Sequence, residues 1–425
     1  MKNLKTLSIV AVGAIVMSAA YAVTFGNDDS EGFDIEIDSD EGLSVRHIVN
    51  GDRGEFIRKD DNGTLEASWR DEFTLTNDGN GLKSLERKLE IEIEAEDETR
   101  RVVFKNDDGA IETVYFIDDE ELPAGEDTDA AAAALFLQFL RASGVRSEER
   151  VRALINNGGV EAVLTELNYL DGDDAFRRYA VALVEESDLS TEEITHLTEK
   201  LVTVESDHDM RDVLRAILEH ETLLPETTPL LIRAARSIES DHDLRLLVEA
   251  FAKTPLDSNA MDLALDLYGR IESDHDLRIS AEALLESGTL SKMQAARLLE
   301  IAAGEIESDH DMRLLLTETA GMFADEPTLT DAWLQGYAVL ESSHDQRLSI
   351  EAVAEEAAPS PSGWLSLIDA SSDIESDHDA RRALETIASN MGDEPELLAA
   401  YRAVAERIGS SSDRERALAA VDGDE

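Results

Sequence analysis

The pentapeptide Glu-Ser-Asp-His-Asp stands at Glu205–Asp209, Glu239–Asp243, Glu272–Asp276, Glu307–Asp311 and Glu375–Asp379, with Glu-Ser-Ser-His-Asp at Glu341–Asp345. From these starts, 205, 239, 272, 307, 341 and 375, the successive intervals are 34, 33, 35, 34 and 34 residues. A period this regular implies stacked supersecondary units, each finishing its core against its neighbours, and it excludes a single closed globule. One interval upstream, Asp171-Gly172-Asp173-Asp174-Ala175-Phe176-Arg177 holds the same register without histidine, and SSSDRERAL from Ser410 is a degenerate last copy.

Each unit reads as two helices. After the first pentapeptide, Met210, Val213, Leu214, Ile217 and Leu218 recur at i, i+3, i+4, i+7 and i+8, which gives one apolar stripe. LLPETTP breaks the pattern, and Leu231, Ala234, Ala235 and Ile238 restart it. The unit length equals that of a tetratricopeptide repeat, but the Trp-Leu-Gly-Tyr pattern of that repeat is missing. The expectation is a HEAT-like α-solenoid over residues 128–420.

Within the pentapeptide, the serine is placed to cap the helix that follows, and the second aspartate completes S-x-x-D, a carboxylate form of the capping box. Both aspartates fall in the first turn, where the helix dipole favours negative charge. Arg211 lies four residues after Asp207, the favourable order for an i,i+4 pair. The histidine is the least determined member. Stacking aligns His208, His242, His275, His310, His344 and His378 along one edge. That row fits a structural ladder of caps and inter-repeat hydrogen bonds, and a divalent-cation site is the alternative. Neighbouring helices about 8–10 Å apart hold equivalent imidazoles too far apart to share a metal at about 2 Å unless they reach toward each other.

The remainder of the chain differs. MKNLKTLSIVAVGAIVMSAAYA, residues 1–22, has two lysines, an apolar run and an Ala-x-Ala site, the pattern of a secretory signal peptide. Its apolar run is short for a membrane span and no second candidate follows, so none is expected after signal removal. An acidic stretch at 23–43 reads as a flexible leader. From 44 to 122 short β-like runs (EFIRK, TLEASWR, EFTLT, LEIEIEAE, RRVVFK, IETVYFI) alternate with Asn-Gly and Asp-Gly turns, predicting an antiparallel meander. Trp69, Phe73, Tyr115 and Phe116 are expected in its core. Residues 123–127 read as a linker, and Thr128 as the N-cap of the first helix.

Hydrophobic residues make up 42% of the chain, enough to fold, while the formal charge is -56. Such a polyanion is repelled by phosphate backbones, so nucleic acid is excluded as a partner and basic proteins or cations are favoured. The acidity suits a saline habitat as well as a cation-related role. With no cysteine there is no disulfide framework and no thiolate site. The chain also lacks H-E-x-x-H, G-x-S-x-G, a P-loop and a dinucleotide glycine fingerprint, so no catalytic residue and no cofactor is assigned. His47, His196 and His220 have no nearby constellation, and Asp38–Gly42 only begins like a calcium loop.

GTLEASWRDEFTLTNDGNGLKSLERKLEIEIE, ETVYFIDDEELP and RVRALINNGGVEAVLTELNYLDGDDAFRRY together resemble a group of uncharacterised secreted bacterial proteins that join a small β domain to helical repeats. Related segments occur in the extracytoplasmic tails of antirepressor-type membrane metallopeptidases. In that group the repeat opens with Ser-Asp-Tyr, so histidine here takes a tyrosine's place, which implies packing and hydrogen bonding. The resemblance carries over no catalytic residue. The expectation is a non-enzymatic periplasmic or secreted scaffold that binds a protein or peptide, with a cation-binding envelope protein as the alternative.

Overall fold

The computed structural model describes residues 20–25, 32–38, 44–50, 53–61, 63–95, 98–220, 227–324 and 327–422. The chain divides into two compact units, residues 1–209 and 210–425.

The first unit is built on a sheet. Strands β1 (Ala20–Phe25), β2 (Gly32–Asp38), β3 (Ser44–Asn50), β4 (Arg53–Asp60), β5 (Gly63–Arg70), β6 (Phe73–Leu75), β7 (Leu82–Leu85), β8 (Lys88–Ala95), β9 (Glu98–Asp107), β10 (Ala110–Ile117) and β11 (Glu120–Glu121) follow in chain order. Nine of them form one meander, β1-β2-β3-β4-β5-β8-β9-β10-β11, and β6 and β7 pair as a separate hairpin. The predicted runs fall on β4, β5, β6, β8, β9 and β10. The register sets Leu65 opposite Ile93, Ala67 opposite Ile91 and Trp69 opposite Leu89, so one face is apolar throughout. Between β9 and β10 the turn residues Asp108 and Gly109 both have positive φ, 50° and 93°, the left-handed pair that a tight hairpin needs.

Three expectations at the boundaries are corrected. The leader expected at 23–43 contains β2 and part of β1, with β2 paired along its length to β3. Phe33, Ile35 and Ile37 alternate with Asp34, Glu36 and Asp38, the period of a strand inside an acidic composition. The signal-peptide residues 1–19 lie outside the described residues. Next, the linker at 123–127 runs into helix α1 (Glu126–Ser143), whose N-cap is Gly125. Thr128 is already inside the first turn, where its Oγ donates back to the Gly125 carbonyl at 2.9 Å. Finally, α1 does not open the solenoid. Its Phe136, Phe139 and Leu140 are buried in one cluster with Phe56, Phe73, Leu89, Ile91 and Phe104 of the sheet. Tyr115 is buried with them, whereas Phe116 points the other way along β10 and packs under the Arg101 guanidinium.

Helices α2 (Ser147–Gly158), α3 (Val160–Glu166), α4 (Asp173–Glu186) and α5 (Thr191–Leu201) complete the first unit. Buried Arg150 of α2 holds the loop between β6 and β7, donating to the Gly79 carbonyl at 3.0 Å, and also donates to the Tyr179 hydroxyl at 2.9 Å. Glu166 lies 2.8 Å from the same guanidinium.

The second unit is helical, with two helices per repeat as the periodicity predicts. After α6 (Asp207–Glu219), helices α8 (Asp241–Ala252), α10 (Asp274–Glu286), α12 (Asp309–Glu318), α14 (Ser343–Glu356), α16 (Asp377–Asn390) and α18 (Ser411–Asp422) each follow a repeat start. From α8 onward each packs on the next. Between them run α7 (Thr228–Ala234), α9 (Ser258–Tyr268), α11 (Lys292–Glu305), α13 (Pro327–Ala338), α15 (Pro361–Ala370) and α17 (Pro395–Ala405), forming a second layer. Leu244, Leu247, Val248 and Phe251 of α8 and Ala264, Leu265 and Leu267 of α9 fill the space between layers. Buried aromatic tips find backbone acceptors there. Trp333 Nε1 donates to the Leu316 carbonyl at 3.0 Å, and the Tyr337 hydroxyl reaches one repeat forward to the Ala370 carbonyl at 2.9 Å.

Candidate functional site

Serine acts first. Ser240, Ser273, Ser308, Ser342 and Ser376 take extended backbone angles at the N-cap, and each side chain accepts from the N–H three residues on. The reciprocal half of the capping box, present in α5 and α11, is replaced here. In these starts the cap residue's own N–H donates to the preceding repeat. Asp241 accepts Glu272 N at 3.1 Å and Ser273 N at 2.8 Å. Asp274 accepts Glu307 N at 3.1 Å and Ser308 N at 2.9 Å. Asp309 does the same for Glu341 and Ser342, and Asp377 for Gly409 and Ser410. In the first unit Asp173 accepts Glu205 N at 2.9 Å and Ser206 N at 2.7 Å. Two backbone donors that precede a helix, with no partner inside it, are thus satisfied by a carboxylate one repeat away. Ser343, in the variant start, accepts Ser376 N at 3.1 Å.

The arginine reaches the same way, which corrects the i,i+4 pairing expected from the sequence. Arg245 Nε lies 2.8 Å from Asp276, Arg278 Nε 2.9 Å from Asp311, Arg313 Nε 2.9 Å from Asp345, Arg347 Nε 2.8 Å from Asp379 and Arg381 Nε 2.9 Å from Asp413. Arg211 to Asp243 is equivalent, and so is Arg177 to Asp209 within the first unit. For Arg245, Arg278, Arg347 and Arg381 the i+4 partner is a glutamate further along the helix, as in Arg278 to Glu282 at 2.6 Å and Arg347 to Glu351 at 2.6 Å. The guanidiniums of Arg245, Arg278, Arg347 and Arg381 therefore span two carboxylates, one in their own helix and one in the next repeat.

The histidine holds this arm. Arg245 Nη2 donates to His242 Nδ1 at 3.1 Å, and the same contact joins Arg278 to His275 at 3.3 Å, Arg313 to His310 at 3.2 Å, Arg347 to His344 at 3.0 Å and Arg381 to His378 at 3.1 Å. A guanidinium has no lone pair to offer, so Nδ1 is the acceptor and the neutral ring carries its proton on Nε2. The contact is made inside one helix, at i,i+3, and not across the stack. His208 sits exposed at the equivalent position of the first unit.

The field around each carboxylate follows its burial. Burial alone would raise Asp311, but hydrogen bonds from Arg278 and Ser308 outweigh it and hold the carboxyl below its ordinary value. Asp379 is held down in the same way by Ser376 and Arg347. At the more deeply buried Asp209 desolvation wins over Arg177, and the carboxyl is pushed up.

Among the described residues no three His, Asp or Glu side chains converge as a metal-ligand set. His196 faces Glu161 at 3.4 Å on an exposed surface. Asp38 ends β2, and residues 39–43 of the calcium-loop candidate lie outside the described residues. His47, for which the sequence offers no nearby constellation, belongs to the sheet and not to the repeat starts. It is buried in β3, edge-on to Phe56 at 5.6 Å and Trp69 at 6.0 Å, and burial, reinforced by the Arg178 charge, pushes it down to about 4. Its place in an apolar-polar alternation, Val45, His47, Val49, is the signal that could have found it. Compared with models of known protein families and with curated proteins, the chain matches none.

Proposed function

We propose that this protein is a non-enzymatic scaffold, acting in the periplasm or outside the cell, that binds a basic protein or peptide along its acidic helical array. The observation that carries this reading is how the motif spends its polar groups. The first aspartate (Ser343 in the variant start), the arginine and the second aspartate are used in holding a repeat to its neighbour. The glutamate that opens each repeat start, Glu205, Glu239, Glu272, Glu307, Glu341 and Glu375, stays exposed. A carboxylate therefore recurs once per repeat on a chain of formal charge -56. Extended repeat surfaces suit extended partners, and charge complementarity sets which partner is admitted. The residue pattern at 1–22 supports placement outside the cytoplasm.

The test is binding of an extended arginine- and lysine-rich peptide, followed by fluorescence anisotropy at two ionic strengths. Changing the six opening glutamates to Gln is compared with changing Glu192, Glu199, Glu300, Glu355, Glu356 and Glu396, which are equally exposed elsewhere. The expected result is a markedly larger loss of affinity for the first set. Equal losses would mean that total charge alone attracts the peptide, and would sink the reading.

A further inference from the structure

The rung between repeats has a direction. An internal start sends two groups forward, the residue after the serine (an aspartate, or Ser343 in the variant start) and the arginine, and presents two groups backward, the capping serine and the second aspartate. The end copies each keep one half. At the start, Asp173 and Arg177 retain the forward groups, while Gly172 and Ala175 stand where the serine and second aspartate belong. At the other end Ser410 and Asp413 retain the backward groups, while Ser411 and Glu415 replace the forward aspartate and arginine. The histidine follows the arginine. Asp174 takes its position in the first copy and lies 2.5 Å from Arg177, and in the last copy, which has no arginine to hold, the position is Ser412.

What replaces the missing backward half is visible in the first unit. The Asp171 N–H, which in later copies would meet the preceding repeat's aspartate, donates to the Arg141 carbonyl of α1 at 3.2 Å. Arg58 of β4 pairs with the Asp171 carboxylate at 2.8 Å. A side chain at Gly172, where φ is 110°, would be strained and would press on Arg58 at 3.2 Å. Ala175, where the rung carboxylate stands in later copies, is buried, and Gly144 beside α1 approaches it so closely that a Cβ there would stand 3.2 Å from the Ala175 Cα. At the far end Ser411, Ser412, Glu415 and Arg416 are exposed on α18, the polar outer face of a capping repeat.

We infer that the array is closed at both ends by design of its residues. The sheet with α1 takes the place of a preceding repeat, and the copy at Ser410 ends the ladder, so the solenoid does not add a second copy of this chain end to end. This assigns the β domain a role as the N-terminal cap, independent of any partner.

The same substitution made at two equivalent positions tests it. Ser343→Asp, in an internal copy, restores a carboxylate facing a following repeat, whereas Ser411→Asp adds the same charge at the start of α18, after which no repeat start lies among the described residues. Ser343→Asp is expected to raise the melting midpoint by about 2–4 °C more than Ser411→Asp does. Equal shifts would reduce the residue to a helix-dipole effect and overturn the inference. Sedimentation of the full-length parent across micromolar concentrations is expected to give one fixed mass, and open-ended growth with concentration would overturn closure directly.

Discussion

Asp274 satisfies two backbone donors of the following repeat, so removing it strands both. Asp274→Ala is expected to lower stability by about 1 kcal/mol, the net worth of hydrogen bonds whose donors water can reach. Asp274→Asn, which keeps one acceptor oxygen, should lose less. Denaturant unfolding of both variants checks this, and equal losses would show that charge, not acceptance, matters at that position. His47 gives a pH signature. Its folded value is about 4 against an ordinary 6.5, so between those values the unfolded chain binds a proton that the folded chain refuses. Stability is therefore full above pH 6.5 and falls as pH drops toward 4, by up to about 3 kcal/mol. Urea titrations at pH 7.5 and 4.5 should show this loss in the parent and not in His47→Leu. A loss of the same size in both would place the acid sensitivity elsewhere.

At the scale of elements, period decides more than composition. Strands β4, β5, β6, β8, β9 and β10 were legible from runs such as Leu89, Ile91 and Ile93 alternating with Glu90, Glu92 and Glu94, while short β7 was not. The same alternation in Gly32–Asp38 was hidden by its acidity, which led to a leader where the chain forms β2. Helix α1 was legible as a helix, but an apolar stripe does not say whether a sheet or another helix will cover it. Phe136→Ala is expected to cost about 3–5 kcal/mol and to weaken amide protection in β5, β8 and β9 together with α1, since Phe136 lies in the sheet's core. Protection lost from α1 alone would separate the helix from the sheet. The serine caps of the repeat starts were legible, because an N-cap acts on its own helix and needs no tertiary knowledge, whereas Thr128 proved to lie inside α1. The rungs were not, because the partner of Arg278 lies 33 residues on, and an acid at i−4 offered a local alternative.

For the whole molecule, the repeated motif joins neighbouring repeats, and the acidic surface is where we propose that a partner binds. Calcium, magnesium or zinc against a chelator, at fixed ionic strength, is expected to leave the melting midpoint unchanged, because an arginine donates to Nδ1 of His242, His275, His310, His344 and His378. A metal-specific rise that vanishes when the six histidines of the repeats become Tyr would promote the cation-binding reading instead. The most direct test of the rung itself is a double-mutant cycle across two repeats: Arg278→Met, Asp311→Ala and the pair, compared by denaturant unfolding. The two side chains meet at 2.9 Å with 12% and 16% of their surfaces exposed, so a coupling of about 1–2 kcal/mol is expected. Losses that simply add, to within about 0.5 kcal/mol, would contradict a ladder that holds one repeat to the next.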